Sequence, residues 1–171
     1  MTSELARRRF AETVAPYLDD AYGLARWLTG SGTDAEDVVQ EACIRALGAL
    51  DGAPVERGKA WLLAIVRNAA FTWLTKNRPK VIMFMDDSSI AEAAVDAPDP
   101  EAALIAAADE AALERAIGAL PHAFREVVVM RDIHGLSYRE IAAAIGAPTG
   151  TVMSRLARGR AALIANLGGT R

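Results

Sequence analysis

The chain has 171 residues, a length that accommodates one ordinary domain or two small ones. Hydrophobic residues make up 52% of it and aromatic residues only 6%. Such a composition, rich in alanine, leucine, arginine and glutamate, favours packed helices over β-sheet and predicts an all-α protein. The net charge of −3 gives no overall attraction to nucleic acid, but a total conceals how the charges are distributed.

The sequence also disfavours a membrane-spanning protein and a secreted protein held together by disulfides. No stretch reaches the roughly 18 uncharged apolar residues that a membrane-spanning helix needs, and residues 1–10 contain no apolar signal core. The single cysteine, Cys43, cannot form an intramolecular disulfide, and its neighbours place it on an inward helix face. We therefore expect a cytoplasmic protein with a buried and unreactive thiol.

Charge is segregated along the chain. Residues 51–80 carry six basic and two acidic side chains, and residues 136–171 carry five basic and one acidic, so each segment has a net charge of +4. Between these two segments, residues 81–114 carry nine acidic side chains and neither lysine nor arginine. Two basic segments separated by an acidic one suit a protein that touches DNA at two places.

Three helices are predicted in the first 80 residues, over 11–29, 34–50 and 59–77. Gly30, Ser31 and Gly32 separate the first two, and Gly52 and Pro54 break the chain before the third. Glycine ends helices readily, and proline keeps the residue before it out of a helix. Residues 1–80 are therefore expected to form a small helical bundle.

An acidic flexible linker is predicted over residues 81–99, because this stretch includes a segment without helical periodicity that is interrupted by prolines. Asp99, Pro100 and Glu101 then follow the order of an N-cap, a first helical residue and an acidic first turn. A second helical domain is expected over residues 100–171.

Four helices are predicted in this second domain, over 100–120, 121–133, 137–145 and 149–167. Ser137 and Glu140 have the spacing of a capping box, in which each side chain bonds the other residue's backbone amide. A capped helix, a three-residue break at 146–148 and a longer helix form a helix-turn-helix pattern. Apolar residues at spacings of three, four and seven should pack these two helices together: Ile141, Ala142, Ile145, Val152, Leu156 and Leu163.

Polar side chains share the other face of the last helix. Thr151, Ser154, Arg155 and Arg158 are spaced at i, i+3, i+4 and i+7. Arginine can donate two hydrogen bonds to a guanine edge or bind phosphate, and hydroxyls near a helix start can bind phosphate. An ordinary solvated face would show similar spacing, but the capped helix and short turn before it favour major-groove contact.

This C-terminal half resembles the corresponding domain of extracytoplasmic-function (ECF) sigma factors. The resemblance rests on Leu136-Ser137-Tyr138-Arg139-Glu140-Ile141-Ala142, Gly146, Gly150-Thr151-Val152, Ser154-Arg155-Leu156, Arg158 and Arg160. In that family the domain reads the upstream promoter element. The resemblance implies DNA contacts for Thr149, Thr151, Ser154, Arg155, Arg158 and Arg160. Met153 stands where the family commonly has lysine or arginine, so no phosphate contact is carried over to it.

The N-terminal half resembles the same family independently. The run from Asp34 to Glu41 is similar to the helix that docks on the clamp helices of the largest subunit of core RNA polymerase. The resemblance implies docking roles for Asp34, Glu36, Asp37, Gln40 and Glu41. Asp34 is the expected N-cap, and the expected inward face is Val38, Ala42 and Leu47. Compensation of the helix dipole would explain the acidic first turn, but not Gln40 and Glu41 further along.

The run from Lys59 to Asn68 resembles the family's helix for the downstream promoter element. In the family the preceding loop, here 52–58, captures a flipped-out base of the opened strand. The resemblance implies downstream DNA contacts for Lys59, Arg67, Asn68, Lys76 and Arg78. Trp61 and Trp73 are expected to pack in the core.

The resemblance as a whole implies an alternative sigma factor that binds core RNA polymerase and promoter DNA and is held inactive by an anti-sigma factor. It implies no catalytic residue, cofactor or metal, and His122 and His134 lack a second ligand at metal spacing. His134 is expected to place a favourable charge at a helix C-terminus.

Two alternatives remain. A conventional helix-turn-helix repressor would bind a two-fold symmetric operator as a dimer and would not need the docking pattern. A sigma mimic that only sequesters an anti-sigma factor would not need the arginines of the last helix.

Overall fold

The computed structural model describes residues 3–52, 54–83 and 110–168. These residues are helical apart from short turns and contain no strand, which confirms the predicted all-α class. The predicted linker core and the predicted helix start at Asp99, Pro100 and Glu101 lie outside the described residues.

The first predicted helix, over 11–29, is wrong in its boundaries. The structure has a helix α1 over Ser3–Thr13, a single 3-10 turn over Ala15–Tyr17 and a helix α2 over Leu18–Thr29. Pro16 lies within the turn, and proline lacks the amide hydrogen that a continuous helix would require there. Gly30 ends α2 in the left-handed region, with a φ of 76°.

Helices α3 over Gly32–Ala49, α4 over Gly58–Asn77 and α5 over Pro79–Met83 complete the N-terminal group. Helix α3 begins two residues before the predicted start, because Ser31 is its N-cap: the Ser31 hydroxyl accepts a hydrogen bond from the Asp34 amide at 3.4 Å. Asp34 therefore lies in the first turn and is not the cap, which corrects the expectation.

Helices α2, α3 and α4 pack against one another around a core of leucine, valine and alanine. On α3 the buried positions are Ala35, Val38, Ala42 and Ala46. Leu47 was expected to share this face but is 45% exposed. Successive helical residues differ by about 100° in direction, so the inward position of Ala46 turns Leu47 away from the core.

The C-terminal group contains α6 over Glu110–Gly118, α7 over His122–Val128 with a wider helical turn over Val129–Ile133, α8 over Tyr138–Ile145 and α9 over Thr149–Gly168. Both hydrogen bonds of the predicted capping box between Ser137 and Glu140 are present, at 2.9 and 3.1 Å. Gly146 ends α8 with a φ of 69°. The predicted helix-turn-helix is therefore confirmed.

The N-terminal and C-terminal helix groups are packed together. Helix α4 contacts α8, and α2 contacts α7, so the buried apolar residues form one continuous cluster across both groups. In the described parts of the chain, no helix combines the length and apolarity needed to cross a bilayer.

Candidate nucleic-acid interface

Helix α9 separates its apolar and polar sides as the spacing predicted. Val152 and Leu156 are buried against the rest of the C-terminal group. Thr149 and Ser154 are exposed, and the remaining members of the predicted face are half-buried: Thr151, Arg155 and Arg158. These side chains are presented by a helix whose inward face is fully packed, so their backbone is held rigidly.

Met153 lies on the exposed surface of α9 with 54% of its area accessible. A thioether there offers no charge to a phosphate, whereas a lysine would. The accessible part of α9 is therefore less positive than the family pattern implies.

Arg160 differs from the other arginines of α9. Its Nε donates to Asp132 Oδ2 at 3.0 Å, its Nη2 donates to the second carboxylate oxygen, and its side chain is mostly buried. This two-point ion pair fastens α9 to the turn that follows α7. A DNA contact by Arg160 would require the pair to break.

The predicted docking residues on α3 divide into two groups. Glu36, Asp37, Gln40 and Glu41 are exposed, and Glu41 accepts a hydrogen bond from Arg45 at 3.1 Å one turn later. Asp34 is partly buried and its carboxylate lies 3.3 Å from Arg78 Nη2. Asp34 therefore faces the end of α4, away from the exposed residues of the docking surface.

Two apolar side chains extend the exposed side of α3 and were missed by the sequence reasoning. Ile44 is 67% exposed and Leu47 is 45% exposed. Ile44 lies seven residues after Asp37, and Leu47 lies seven residues after Gln40. These spacings place all four side chains on the same side of the helix. An acidic patch next to exposed aliphatic side chains is typical of a protein interface. The helical spacing from Gln40 to Ile44 was the signal available in the sequence.

Arg78 ends α4 and is engaged within the N-terminal group. Its Nη1 donates to the Thr29 carbonyl oxygen at 2.7 Å, and its guanidinium lies over the Trp73 ring at 5.3 Å. Lys76 is exposed on the last turn of α4, and Lys59 at the first turn lies 4.0 Å from Asp20. The basic residues predicted for the downstream element are thus spread along α4.

Arg67, in the middle of α4, lies at the contact with the C-terminal group, and the neighbouring Asn68 is exposed. Arg67 is only 8% exposed and donates to both carboxylate oxygens of Glu126, at 2.7 and 3.1 Å. Its Nη1 also donates to Asn68 Oδ1 at 3.2 Å. Burial alone would raise the pKa of Glu126, but the neighbouring His122 ring and Arg67 guanidinium hold that pKa below its usual value. Glu126 is therefore ionised at neutral pH.

The loop before α4 lies beside the start of α8. Arg57 Nη1 is 3.6 Å from Glu140 Oε2, and a cavity of about 390 Å³ between the two groups is lined by Tyr17, Lys59, His134 and Glu140 among others. Of the loop predicted to capture a base, residues 54–58 and Gly52 are described. Most of these loop residues are exposed, and Arg57 approaches the C-terminal group with 76% of its side chain accessible.

His134 does not provide the charge that was expected at a helix end. Burial lowers the pKa of His134 although its Nδ1 lies 3.3 Å from Asp20 Oδ1, so the ring is neutral at neutral pH. Packing against α2 removes water from the ring, an effect of the tertiary fold that local sequence does not reveal.

Cys43 was expected to be buried but is half-buried, and this partial burial raises the pKa of its thiol, which disfavours the thiolate form. Within residues 3–52, 54–83 and 110–168, no cluster of three or more histidine, cysteine, aspartate or glutamate side chains is arranged to hold a metal ion.

Two family models match this chain in order. Residues 13–80 match Sigma-70 region 2, and residues 110–163 match Sigma-70 region 4. The first match contains α3 and α4, and the second contains the helix-turn-helix.

Curated relatives match over most of the chain. The ECF RNA polymerase sigma factor SigE of Mycolicibacterium smegmatis is 36% identical over 87% of this chain, which spans 58% of that relative's length. SigW of Bacillus subtilis is 32% identical over 90% of this chain and 86% of its own length. The RNA polymerase sigma-H factor of Pseudomonas aeruginosa is 32% identical over 92% of this chain and 85% of its own length.

Solved structures give the same result. The sigma factor RpoE of Bartonella quintana, in complex with the anti-sigma factor NepR, superposes with a TM-score of 0.70 at 26% identity, covering 95% of this chain and 98% of that one. CnrH, in complex with the cytosolic domain of CnrY, superposes with a TM-score of 0.68 at 27% identity, covering 96% and 91%.

Proposed function

This chain belongs to the ECF sigma factors of RNA polymerase, and we propose that it binds the core enzyme through α3 and recognises promoter DNA through α4 and α9. It contributes specificity to initiation and no catalytic group. The observation that carries the proposal is the order of the two matched regions, each with its expected surface. An acidic and aliphatic docking helix lies in the first region, and a capped helix-turn-helix lies in the second.

Docking on polymerase is assigned to the exposed side of α3. Asp37, Gln40 and Glu41 offer oxygen atoms to a basic partner, and Ile44 with Leu47 offers apolar area beside them. Charge at the rim of such a surface directs the approach of the partner. The aliphatic side chains supply affinity when the partner buries them. The clamp helices of the largest polymerase subunit are the proposed partner.

Promoter recognition is assigned to α9 for the upstream element and to α4 with the loop 52–58 for the downstream element. Capture of unpaired downstream bases would offset the cost of unstacking them, about a few kcal/mol, so strand opening would need no nucleotide hydrolysis by this chain. Polymerase would supply much of the affinity for DNA, which agrees with the net charge of −3.

An anti-sigma factor is the proposed regulatory partner. One structural neighbour, RpoE, was solved with the anti-sigma factor NepR, and the other, CnrH, was solved with the cytosolic domain of CnrY. Action in the cytoplasm, together with polymerase, follows from the same proposal.

The two alternative functions are supported less well. A repressor would leave the exposed acidic and aliphatic side of α3 without a use. A sigma mimic would leave the polar face of α9, with Ser154, Arg155 and Arg158, without a use.

Run-off transcription with purified core polymerase tests the proposal. Fragments of the host genome are transcribed with core alone and with core plus this chain, in the absence of any inhibitor. We expect discrete transcripts only when the chain is present. Transcripts that are identical with and without the chain would refute the proposed function.

A further inference from the structure

A buried ion pair connects the two helix groups. Arg67 on α4 and Glu126 on α7 are 59 residues apart in sequence and share two hydrogen bonds, at 2.7 and 3.1 Å. Glu126 is 0% exposed and Arg67 is 8% exposed. The His122 ring closes the other side of the carboxylate, with Nε2 at 3.4 Å from Oε2. Arg67 and Glu126 therefore form a sealed contact between the groups.

This contact occupies residues that the proposed function assigns to DNA. The Arg67 guanidinium donates two hydrogen bonds to Glu126 and one to Asn68 Oδ1, at 3.2 Å. A guanidinium committed in this way cannot clamp a phosphate or a base. Arg67, one of the five residues predicted for the downstream element, is thus unavailable while the groups are packed, whereas Asn68 stays exposed.

Weaker contacts surround the ion pair on the same side. Arg57, in the loop before α4, lies 3.6 Å from Glu140 of α8, and Asp20 of α2 lies 3.3 Å from His134. Helix α8 covers part of α4 between these points. The C-terminal group therefore covers Arg67, while the loop before α4 touches it only at its edge and Arg57 keeps 76% of its side chain exposed.

The exposed side of α3 is left accessible in this arrangement. Asp37, Gln40 and Glu41 remain exposed, and Ile44 is 67% exposed. Polymerase could therefore reach its proposed docking surface while Arg67 is still covered.

A buried ion pair suits a contact that opens and closes. Burying two charges costs much of the free energy that their attraction returns, so the net stability of such a pair is small. When the groups separate, both charges regain water, and the arginine becomes available to DNA. The contact is specific, because either charge would be strongly unfavourable if it were buried without the other. It is also readily reversible, because the net stability of the pair is small.

We propose that the C-terminal group of this chain is itself an inhibitor of downstream DNA binding, and that the Arg67–Glu126 pair is the latch of this closed form. The inference rests on the proposed function, since it concerns regulation of the same DNA surface. Polymerase docks on α3 of the closed form, and opening of the latch then releases Arg67 to DNA beside the already exposed Asn68.

Small-angle X-ray scattering of the free, full-length chain tests the latch. A compact protein of this length has a radius of gyration of about 16 Å, and two separate domains on a tether would have about 20 Å or more. We expect the wild type to be compact and Glu126→Gln to be expanded, because a neutral amide cannot hold the buried guanidinium. Asp132→Asn is the matched control: it removes a similar carboxylate from a pair with Arg160 inside the C-terminal group and should stay compact.

DNA binding by the same free proteins tests inhibition. On a duplex with an unpaired central bubble, Glu126→Gln should bind about tenfold more tightly than wild type, since the competent fraction sets the apparent affinity. Glu12→Gln, which removes one negative charge from an exposed pair with Arg8 and releases no residue assigned to DNA, should show no such gain. Circular dichroism must show native helicity for each variant. If Glu126→Gln loses helicity, Glu140→Gln replaces it in both measurements, because it removes the charge that faces Arg57 and keeps an oxygen for the capping box.

An expanded wild type, or a folded Glu126→Gln that stays compact, would overturn the latch. Expansion without tighter bubble binding would overturn the inhibitory role. The scattering result does not depend on transcription, so failure of the latch and failure of the proposed function are distinguishable.

Discussion

The arginines of α9 differ in what they contact, and this difference predicts different results on substitution. Arg160 is held by Asp132 and stabilises the turn after α7. Arg155 lies half-exposed on the polar face, one position from exposed Ser154. Both side chains carry a guanidinium, but that of Arg160 is mostly buried in an ion pair and that of Arg155 is half-exposed.

Arg155→Ala should weaken recognition of the upstream element by about 1–3 kcal/mol, because a bidentate base or phosphate contact is lost. Binding to core polymerase should be unchanged. Competition between promoter fragments in run-off transcription measures the effect. Arg115→Ala, which removes an exposed arginine from α6 outside the helix-turn-helix, is the control and should have no effect. Equal promoter use by Arg155→Ala and wild type would contradict the orientation of α9.

Acidification should loosen the contact between the groups through His134. Its neighbours are Asp20 of α2, which favours the charged ring, and Lys59 of α4, which opposes it, while burial has the largest effect and lowers the pKa of His134. The stability from the neutral ring is complete above its ordinary pKa of 6.5 and declines as the pH falls toward the lower pKa of the packed state.

The measurement is the radius of gyration of wild type and His134→Asn from about pH 8 to about pH 5.5, a range that brackets histidine titration. Wild type should expand at the acidic end, and the asparagine variant should change less, because its amide can donate to Asp20 without titrating. Both proteins retain His122, as well as Arg57, Glu56 and Glu140 around the cavity. Identical profiles for the two proteins would refute a role for His134.

At the residue scale, spacing alone predicted the polar face of α9, because one helix displays its faces at a fixed period. Spacing could not predict that Arg67 faces Glu126 or that Arg160 faces Asp132, since each pair joins separate elements. The residues next to Glu126 in sequence do not indicate that its side chain is buried.

Helix boundaries followed local chemistry wherever a cap was unambiguous. Ser137 with Glu140 and Gly146 marked both ends of α8 correctly. The apolar periodicity of 11–29 predicted one continuous helix and gave no sign of the break at Pro16. At the start of α3, Ser31 and Asp34 were both possible N-caps. Sequence could not decide between Ser31 and Asp34, because both side chains are good caps.

Gly159 sets how closely α9 approaches α7. A Cβ at this position would lie 2.9 Å from Val128 Cγ2 and 3.2 Å from Phe124 Cβ. Gly159→Ala should destabilise the fold, because overpacking costs about 1–3 kcal/mol while the gain in helix propensity is about 1 kcal/mol. Thermal unfolding followed by circular dichroism measures the change. Gly150→Ala is the control on the same helix: its Cβ would have no neighbour within 4 Å, so the change should be neutral or stabilising. A Gly159→Ala protein that is more stable than wild type would contradict the close packing of α9 on α7.

Charge reversal on α3 tests the docking surface. Asp37→Lys with Glu41→Lys should lower affinity for core polymerase about tenfold, a loss of about 1.4 kcal/mol, because like charges would face the basic partner. Loss of the exposed Glu41–Arg45 pair should cost little stability. Glu4→Lys with Glu12→Lys on α1 is the matched control, since Glu12 also pairs with an arginine one turn away. Holoenzyme assembly at wild-type affinity would exclude this surface.

At the scale of the whole molecule, two helix groups and their order could be predicted, because composition, glycine and proline breaks and charge segregation all point to them. Their contact through α4 and α8 could not, since it depends on surfaces about 60 residues or more apart in sequence that no local period relates. Of the residues predicted for downstream DNA, Arg67 proved to bond the C-terminal group.

Hydroxyl-radical footprinting of a promoter that the holoenzyme uses tests the central claim most directly. With core polymerase and this chain together, we predict two separated protected patches, with the upstream patch lost selectively in Arg155→Ala. Core polymerase alone and the chain alone should give neither patch. A single two-fold symmetric footprint produced by the chain without polymerase would contradict the account and identify a repressor.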